Sequence, residues 1–170
     1  MEILATERLI LRHLEARDLP ELAALYADPV VRRYFPEGVL STAETQEELD
    51  WFRHGHPEHS ELGLWATIER KTGRFIGRCG LLPWDIDGRL EIEIAYLLGR
   101  DCWGRGLGAE AAQALVRHGF ERLKLPRLIA LIDPANTASI RVAEAAGLRF
   151  EREGDIAGGF CALYSILNPR

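Results

Sequence analysis

Three glycines alternate just ahead of a long helical pattern, at Gly104, Gly106 and Gly108. Because glycine has no Cβ, backbone N–H groups can converge at such a turn and meet the positive end of the helix dipole. Converging amides at a helix start are a known way to bind phosphate groups. The sequence therefore predicts a diphosphate site here, and its chemistry depends on which ligand supplies the diphosphate.

Two nucleotide ligands fit the turn poorly. A nucleoside triphosphate is excluded, because no Gly-Lys-Ser/Thr follows to reach the terminal phosphate and Mg²⁺. A dinucleotide would match Gly104-x-Gly106-x-x-Ala109, with Asp133 after the next strand as a ribose ligand. However, predicted antiparallel strands precede the motif, and fewer than forty residues follow Asp133, too few for the remaining β-α-β units. Dinucleotide binding stays open as the weaker alternative.

A metal site is a further possibility raised by His54, His56 and His59, which lie close together in the chain. Gly55 and Pro57 interrupt this segment, and such a loop does not hold ligands in tetrahedral geometry without further supporting groups. The three cysteines are far apart and form no Cys-x-x-Cys pair. We therefore expect a solvated loop and no metal.

The first half of the chain predicts two helices and then a group of strands. A short strand is expected at 8–12, and apolar residues recur at helical intervals over 19–27 and 42–52. Capping boxes are predicted at both helix starts, from Asp18 to Glu21 and from Ser41 to Glu44. Antiparallel strands are predicted next, at 62–69, 75–82 and 89–98, with turns at 71–73 and 85–88.

Alternation in the third of these strands assigns its side chains to two faces. One face carries Ile92, Ile94, Tyr96 and Leu98, and the other carries Glu91, Glu93, Ala95 and Leu97.

The second half predicts helices alternating with strands. A helix follows the glycines, with its apolar stripe at residues 112, 115, 116, 119 and 123, and the apolar run 128–132 fits a buried strand. Asn136 is expected to cap a helix that continues to about residue 146, and Gly147 to end it. Two closing strands are predicted at 148–151 and 160–167. The sequence contains no recognisable linker or internal repeat, so we expect one domain over residues 1–170.

Composition narrows the possible partners. The net charge of −5 argues against nucleic acid, and no apolar stretch is long enough to span a membrane. With no leader-like start, we expect a cytoplasmic protein, either a monomer or a homodimer. Residues 1–60 carry 12 acidic and 6 basic side chains, which favours a cationic partner.

Five segments together resemble the GNAT acetyltransferases, and within them the RimJ/RimL-like branch. The resemblance spans nearly the whole chain and implies an α/β (α+β) fold: a mixed, mostly antiparallel sheet of about seven strands, helices on both faces, and a V-shaped split for acetyl-CoA. The segments are 6–12 (TERLILR), 93–97 (EIAYL), 103–111 (WGRGLGAEA), 136–141 (NTASIR) and 146–150 (AGLRF).

The resemblance assigns residues to acetyl-CoA. It implies that the backbone of Tyr96, Leu97 and Leu98 pairs with the pantetheine arm like an added strand, and that Asn136 and Ser139 contact pantetheine and the thioester sulfur. The amides expected to hold the pyrophosphate are those of Gly104, Arg105, Gly106, Leu107, Gly108 and Ala109, with charge from the Arg105 side chain.

Acetyl transfer to an amine needs positioning, an oxyanion donor and removal of one proton. A backbone N–H near Leu97 or Leu98 is the expected oxyanion donor. Glu93 is the candidate base, with amine binding or an ion pair as its alternatives. Many relatives carry a tyrosine acid in the helix after the asparagine, but residues 140–146 contain none. Either Ser139 substitutes or no side-chain acid is used.

The acceptor is not fixed by these motifs. A protein N-terminal amine and a small-molecule amine both remain open, and the two N-terminal helices with the 54–60 loop are expected to form the acceptor wall. A non-catalytic acyl-CoA-binding module is the alternative of another class.

Overall fold

The computed structural model describes all 170 residues and contains one eight-stranded sheet and four α-helices. The helices are α1 (Leu19–Ala27), α2 (Thr42–Phe52), α3 (Leu107–Arg117) and α4 (Thr137–Ala145). The strands are β1 (Glu2–Ala5), β2 (Leu9–His13), β3 (Gly63–Glu69), β4 (Phe75–Ile86), β5 (Arg89–Leu98), β6 (Arg127–Ile132), β7 (Arg149–Ile156) and β8 (Gly159–Leu167).

The sheet order is β1-β2-β3-β4-β5-β6-β8-β7, and every neighbouring pair is antiparallel except β5 and β6. Strand β5 pairs with β4 along its whole length, from Leu98 opposite Gly77 to Arg89 opposite Ile86. Against β6 it has a single registered pair, Glu93 with Ile129. The C-terminal half of β5 is therefore unpaired on its β6 edge, which confirms the expected V-shaped split.

Helices cover both faces of the sheet, as predicted. Helices α3 and α4 pack on the face that carries Ile92, Ile94 and Leu98, in the larger core. Helices α1 and α2 pack on the opposite face, over Ala95 and Leu97. The predicted alternation along β5 is thus confirmed, and it separates the two cores. No helix combines the length and the apolar character needed to cross a bilayer.

The sheet has eight strands rather than about seven. The additional strand, β1, is a four-residue edge strand whose end residues are exposed, so it has no strong apolar pattern. Strand β7 is longer than predicted, because an exposed edge strand also carries charged residues, here from Glu151 to Asp155.

The turn predicted at 85–88 is also shorter in the structure. Strand β4 continues through Pro83 to Ile86, and only Asp87 and Gly88 form the turn, both with positive φ (54° and 75°). The β7–β8 turn at Ala157 and Gly158 repeats this geometry, with φ of 51° and 85°. Positive φ at both positions characterises the two-residue turn whose twist matches that of a hairpin.

Helix ends agree with the sequence in most cases. The Ser41–Glu44 capping box, the Asn136 cap and the left-handed Gly147 (φ 97°) are all present. The box predicted from Asp18 to Glu21 is wrong. Instead, Asp18 closes a box with Glu15 one turn earlier, at a short 3-10 helix over Ala16–Asp18, and its carboxylate also accepts two bonds from Arg12.

Candidate active site

The glycine turn opens onto the start of α3. Gly104 and Gly106 have φ of 73° and 77°, a conformation that other residues rarely adopt. No side chain caps the helix, and its first backbone bond runs from Glu110 N to Gly106 O, so the preceding amides lack helical acceptors. Gly108 has a different role, because a Cβ there would lie 3.3 Å from Val142 of α4.

The Arg105 side chain is already engaged. Its guanidinium binds the Glu69 carboxylate of β3, which also accepts 2.7 Å from Thr72 Oγ1, and the Arg105 carbonyl accepts 2.8 Å from Arg8 Nη1. Hydrogen bonds from Thr72 and Arg105 hold the pKa of Glu69 below its usual range. Arg105 thus fixes the turn to the sheet, and its role toward a phosphate stays a prediction.

The β5 segment of Tyr96, Leu97 and Leu98 forms one wall of the split. Leu97 and Leu98 are buried and held from one side by β4. The loop after β5 is tied back to the strand by Trp103, whose indole N–H donates 2.9 Å to the Leu98 carbonyl. The unpaired edge of this segment faces the split, where an extended ligand can pair with a backbone.

A hydroxyl pair lies across the split. Tyr96 Oη donates 2.8 Å to the carbonyl of Ser139, while Ser139 Oγ donates 3.0 Å to Tyr96 Oη. Asn136 Oδ1 accepts 3.2 Å from Ser139 N as the cap of α4. Burial is the main cause that raises the pKa of Tyr96, so this phenol stays protonated at neutral pH.

Glu93 lies where β5 and β6 separate. Its Oε2 accepts 2.7 Å from the indole N–H of Trp84. Burial raises the pKa of Glu93 from 4.5 to about 7, against the opposing effects of the Trp84 bond, a Leu131 backbone bond and the Arg78 charge. A carboxyl with this pKa exchanges protons near neutral pH, as a general base does.

One cavity of about 580 Å³ joins these groups. The sequence-predicted residues that line it are Glu93, Tyr96, Asn136 and Ser139. Gly104 to Ala109, Leu97 and Leu98 do not, since they lie further along the split toward the start of α3. The sequence-predicted set therefore divides into an amide-rich end and a cavity with titratable groups.

The far side of the cavity is built by three segments. Helix α2 contributes Glu48 and Phe52, the chain after α1 contributes residues 32, 34–37 and 40, and the β7–β8 hairpin contributes residues 156–161. Of the two N-terminal helices predicted to form the acceptor wall, α2 lines the cavity and α1 does not. The loop at 54–60 does not line the cavity. It closes on itself, because His56 N donates 2.7 Å to the Leu62 carbonyl and Leu62 N donates 2.8 Å to the His59 carbonyl.

Sequence patterns did not predict several of the side chains that line the cavity. The family resemblance assigns only the backbone of Tyr96 to the ligand, and Trp84 lies between the strand predicted at 75–82 and the turn predicted at 85–88, so neither side chain was predicted to line a site. Arg32 and Arg78 are 4% and 5% exposed, whereas charged residues are normally assigned to the surface. The alternation of β4 does place Arg78 on the face of Ala95 and Leu97, and this was the one available signal.

Comparison with known proteins agrees with this architecture. The family described as acetyltransferase (GNAT) domain matches residues 8–149. The uncharacterised protein YkkB of Bacillus subtilis (strain 168) is 37% identical over 150 residues, covering 88% of this chain and 86% of its own length. The uncharacterised N-acetyltransferase p20 of Bacillus licheniformis is 34% identical over 155 residues, covering 91% and 85%.

Solved structures show the same fold. An acetyltransferase (GNAT family) from Bacillus anthracis superposes with a TM-score of 0.85 at 27% identity, covering 100% of both chains. RimL, a ribosomal L7/L12 alpha-N-protein acetyltransferase in complex with coenzyme A, gives a TM-score of 0.74 at 18% identity, covering 98% of both chains. At that identity RimL supports the fold alone.

A split sheet beside a glycine-rich helix start, next to a cavity lined by titratable groups, is an arrangement that suits an acyltransferase. The family match over most of the chain makes the class specific: the protein belongs to the GNAT acetyltransferases and has the fold of an N-acetyltransferase.

Proposed function

We propose that this protein transfers the acetyl group of acetyl-CoA to a primary amine by direct attack. The observation that carries the proposal is the split between β5 and β6, which joins uncapped amides at the α3 start to a cavity holding Glu93 and the Tyr96–Ser139 pair. One ligand with a diphosphate and a long organic arm matches both ends. GNAT membership supports the same donor.

The chain offers binding groups along the whole donor. In the proposal, the amides from Gly104 to Ala109 bind the pyrophosphate, where the helix dipole favours negative charge. The free backbone edge at Tyr96, Leu97 and Leu98 pairs with the pantetheine amides. Asn136 uses its oxygen for the helix cap, which leaves its Nδ2 group to bind the arm.

Glu93 acts as the base in this proposal. The amine gives one proton to the Glu93 carboxylate, directly or through water, a new C–N bond forms, and the C–S bond breaks. A backbone N–H near Leu97 or Leu98 stabilises the oxyanion between these events. The Tyr96–Ser139 pair supplies the proton that the departing thiolate takes up. The proton gained by Glu93 then returns to this pair through water, so the protein groups are restored and the net proton movement is from nitrogen to sulfur.

The finer assignments rest on the sequence resemblance. We place the protein in the RimJ/RimL-like branch and in the cytoplasm, as a single domain over residues 1–170 and as a monomer or homodimer. Its acceptor is then a protein N-terminal amine or a small amine.

Ligand-dependent stabilisation tests the donor. In a thermal-shift comparison of acetyl-CoA, CoA and NAD(H), a ligand at 100 times its dissociation constant stabilises the fold by about 2.7 kcal/mol. We expect this from acetyl-CoA and CoA. Stabilisation by NAD(H) alone would restore the dinucleotide alternative, and acetyl-CoA binding without transfer to any amine of a broad panel would favour a binding module.

A further inference from the structure

Two buried arginines line the acceptor side of the cavity. Arg32, after α1, and Arg78, on β4, are 4% and 5% exposed, yet both line the cavity wall. Burying a guanidinium costs free energy unless other groups satisfy its charge and its five N–H donors. Two such groups together therefore require an explanation.

Protein groups satisfy these donors only in part. Arg78 Nε donates 2.8 Å to Tyr26 Oη, which in turn donates to Glu48, and Arg32 Nε donates 2.8 Å to the Gly38 carbonyl. Neither arginine makes a hydrogen bond through its two Nη groups. The Nη atoms of Arg78 have no hydrogen-bond partner, yet they are not fully buried, so they are accessible from the cavity.

Aromatic rings hold the two guanidinium groups side by side. The Cζ atoms of Arg32 and Arg78 lie 4.1 and 5.7 Å from the centroid of the Phe35 ring, and 5.1 and 5.6 Å from that of Tyr26. After burial, the main cause that lowers the pKa of Arg32 is the charge of Arg78. The rings thus fix two mutually repelling cations in one place.

Nearby carboxylates compensate this charge incompletely. Glu48 accepts the hydrogen bond of the Tyr26 hydroxyl. Glu37 Oε2 lies 3.8 Å from Arg32 Nη2, and the Glu37 side chain is 64% exposed. Two further acids line the cavity: Glu93 accepts from Trp84, and Asp133 accepts from the backbone N–H of Ala135. None of the four carboxylates accepts a hydrogen bond from either guanidinium, so the Nη groups of Arg32 and Arg78 are available to an anionic ligand.

We infer that the acceptor is a small amine that also carries a carboxylate, and that Arg32 and Arg78 bind this carboxylate while the amine faces Glu93. The inference rests on the proposed function. Paired N–H groups of arginine match the two oxygens of a carboxylate. It replaces the cationic acceptor that the overall charge of the first sixty residues favoured.

Strand register gives the reach between the two sites. Arg78 lies opposite Leu97 and Leu82 lies opposite Glu93, so Arg78 and Glu93 share a face of the sheet. Four residues of strand separate them, about 13 Å along the backbone. The long Arg78 side chain shortens this gap, and its charge already lowers the pKa of Glu93. An amine and a carboxylate several bonds apart can span what remains.

A spacing series with matched neutral partners tests the inference. Initial rates of CoA release from acetyl-CoA are measured with glycine, β-alanine, 4-aminobutyrate, 6-aminohexanoate and several L-amino acids, each against its carboxamide. We expect at least one acid to exceed its amide by about tenfold or more in kcat/KM. O-Phosphoethanolamine shows whether phosphate replaces carboxylate, and putrescine represents cationic acceptors.

Substitutions then test which residues cause the preference for acids over amides. Arg78→Gln and Arg32→Gln should reduce the preference for acid over amide to about unity, while Arg78→Lys keeps part of it as a single point charge. The matched control is Arg33→Gln, since Arg33 is adjacent to Arg32 but exposed. The control should keep the wild-type preference. Acetyl-CoA thermal shifts confirm that each variant is folded.

The measurements on the wild-type protein test the carboxylate inference even if a variant at Arg32 or Arg78 does not fold. Equal rates for acids and amides, a preference for putrescine, or neither transfer nor stabilisation by any acid in protein that binds acetyl-CoA would overturn the carboxylate inference alone. Absence of both acetyl-CoA binding and transfer would instead overturn the proposed function.

Discussion

At the scale of single residues, the environment of Glu93 suits its proposed role as a base at neutral pH. Its carboxyl has a pKa of about 7 because burial disfavours the charged form. If the carboxylate accepts the proton of the amine, kcat/KM for acetyl transfer should fall as pH decreases below about 7. Glu93→Gln should keep the Trp84 hydrogen bond, lose about a hundredfold in kcat/KM, and lose this limb of the pH profile.

The same substitution should raise stability, because the raised pKa of Glu93 penalises its ionised form. The carboxyl has an ordinary pKa of 4.5 and a pKa of about 7 in the fold, so the folded state binds more protons between these values. No penalty exists below pH 4.5, and it reaches its full size above pH 7, on the order of 3 kcal/mol. Chemical denaturation at pH 8 should show Glu93→Gln more stable than wild type, with the difference vanishing near pH 4. A less stable variant at pH 8 would contradict the buried-base account.

The Tyr96 hydroxyl is the second functional group to test by itself. Tyr96→Phe removes the acceptor of the Ser139 hydroxyl bond and leaves the ring packing intact. We expect kcat to fall by about tenfold or more with little change in KM for acetyl-CoA. Tyr164→Phe is the control, because that buried tyrosine makes no hydrogen bond through its hydroxyl. Equal kcat values for both variants would remove Tyr96 from the proton pathway.

At the scale of elements, substitutions at glycines with positive φ distinguish the effect of backbone strain from an effect on ligand binding. Gly104→Ala places a Cβ at φ 73° with no atom within 4 Å, so the protein itself loses only about 1 to 2 kcal/mol. Gly88→Ala, at φ 75° in the β4–β5 turn and also in open space, should lose the same stability. We expect only Gly104→Ala to raise KM for acetyl-CoA, because only its Cβ would lie beside the proposed pyrophosphate site. A similar rise in both variants would mean that strain alone is responsible.

Elements with their own local signals were predictable from sequence. Helix α2 has its Ser41–Glu44 box, α4 has Asn136 and Gly147, and β5 has strict alternation, and all three lie within a residue of their predicted positions. Edge strands β1 and β7 were missed or shortened, since an exposed strand needs no apolar pattern. Their pairing is set by neighbours that local sequence does not reveal.

At the scale of the whole molecule, sheet geometry brings together what sequence distance hides. Tyr96 and Ser139 are 43 residues apart and Tyr26 and Arg78 are 52 apart, yet each pair shares a hydrogen bond. Resemblance to a family supplied the predicted donor site, because its glycine motif is continuous in the chain. The proposed acceptor side was predicted only in part, through α2, because it also draws on β4, the segment after α1 and the β7–β8 hairpin, which are far apart in the chain.

A crystal structure with coenzyme A tests the central claim most directly. We expect the pyrophosphate on the amides from Gly104 to Ala109 and the pantetheine arm hydrogen-bonded along Tyr96 to Leu98, with its sulfur beside the Tyr96–Ser139 pair. Coenzyme A bound at another surface, or β5 and β6 paired along their full length with the split closed, would contradict the account.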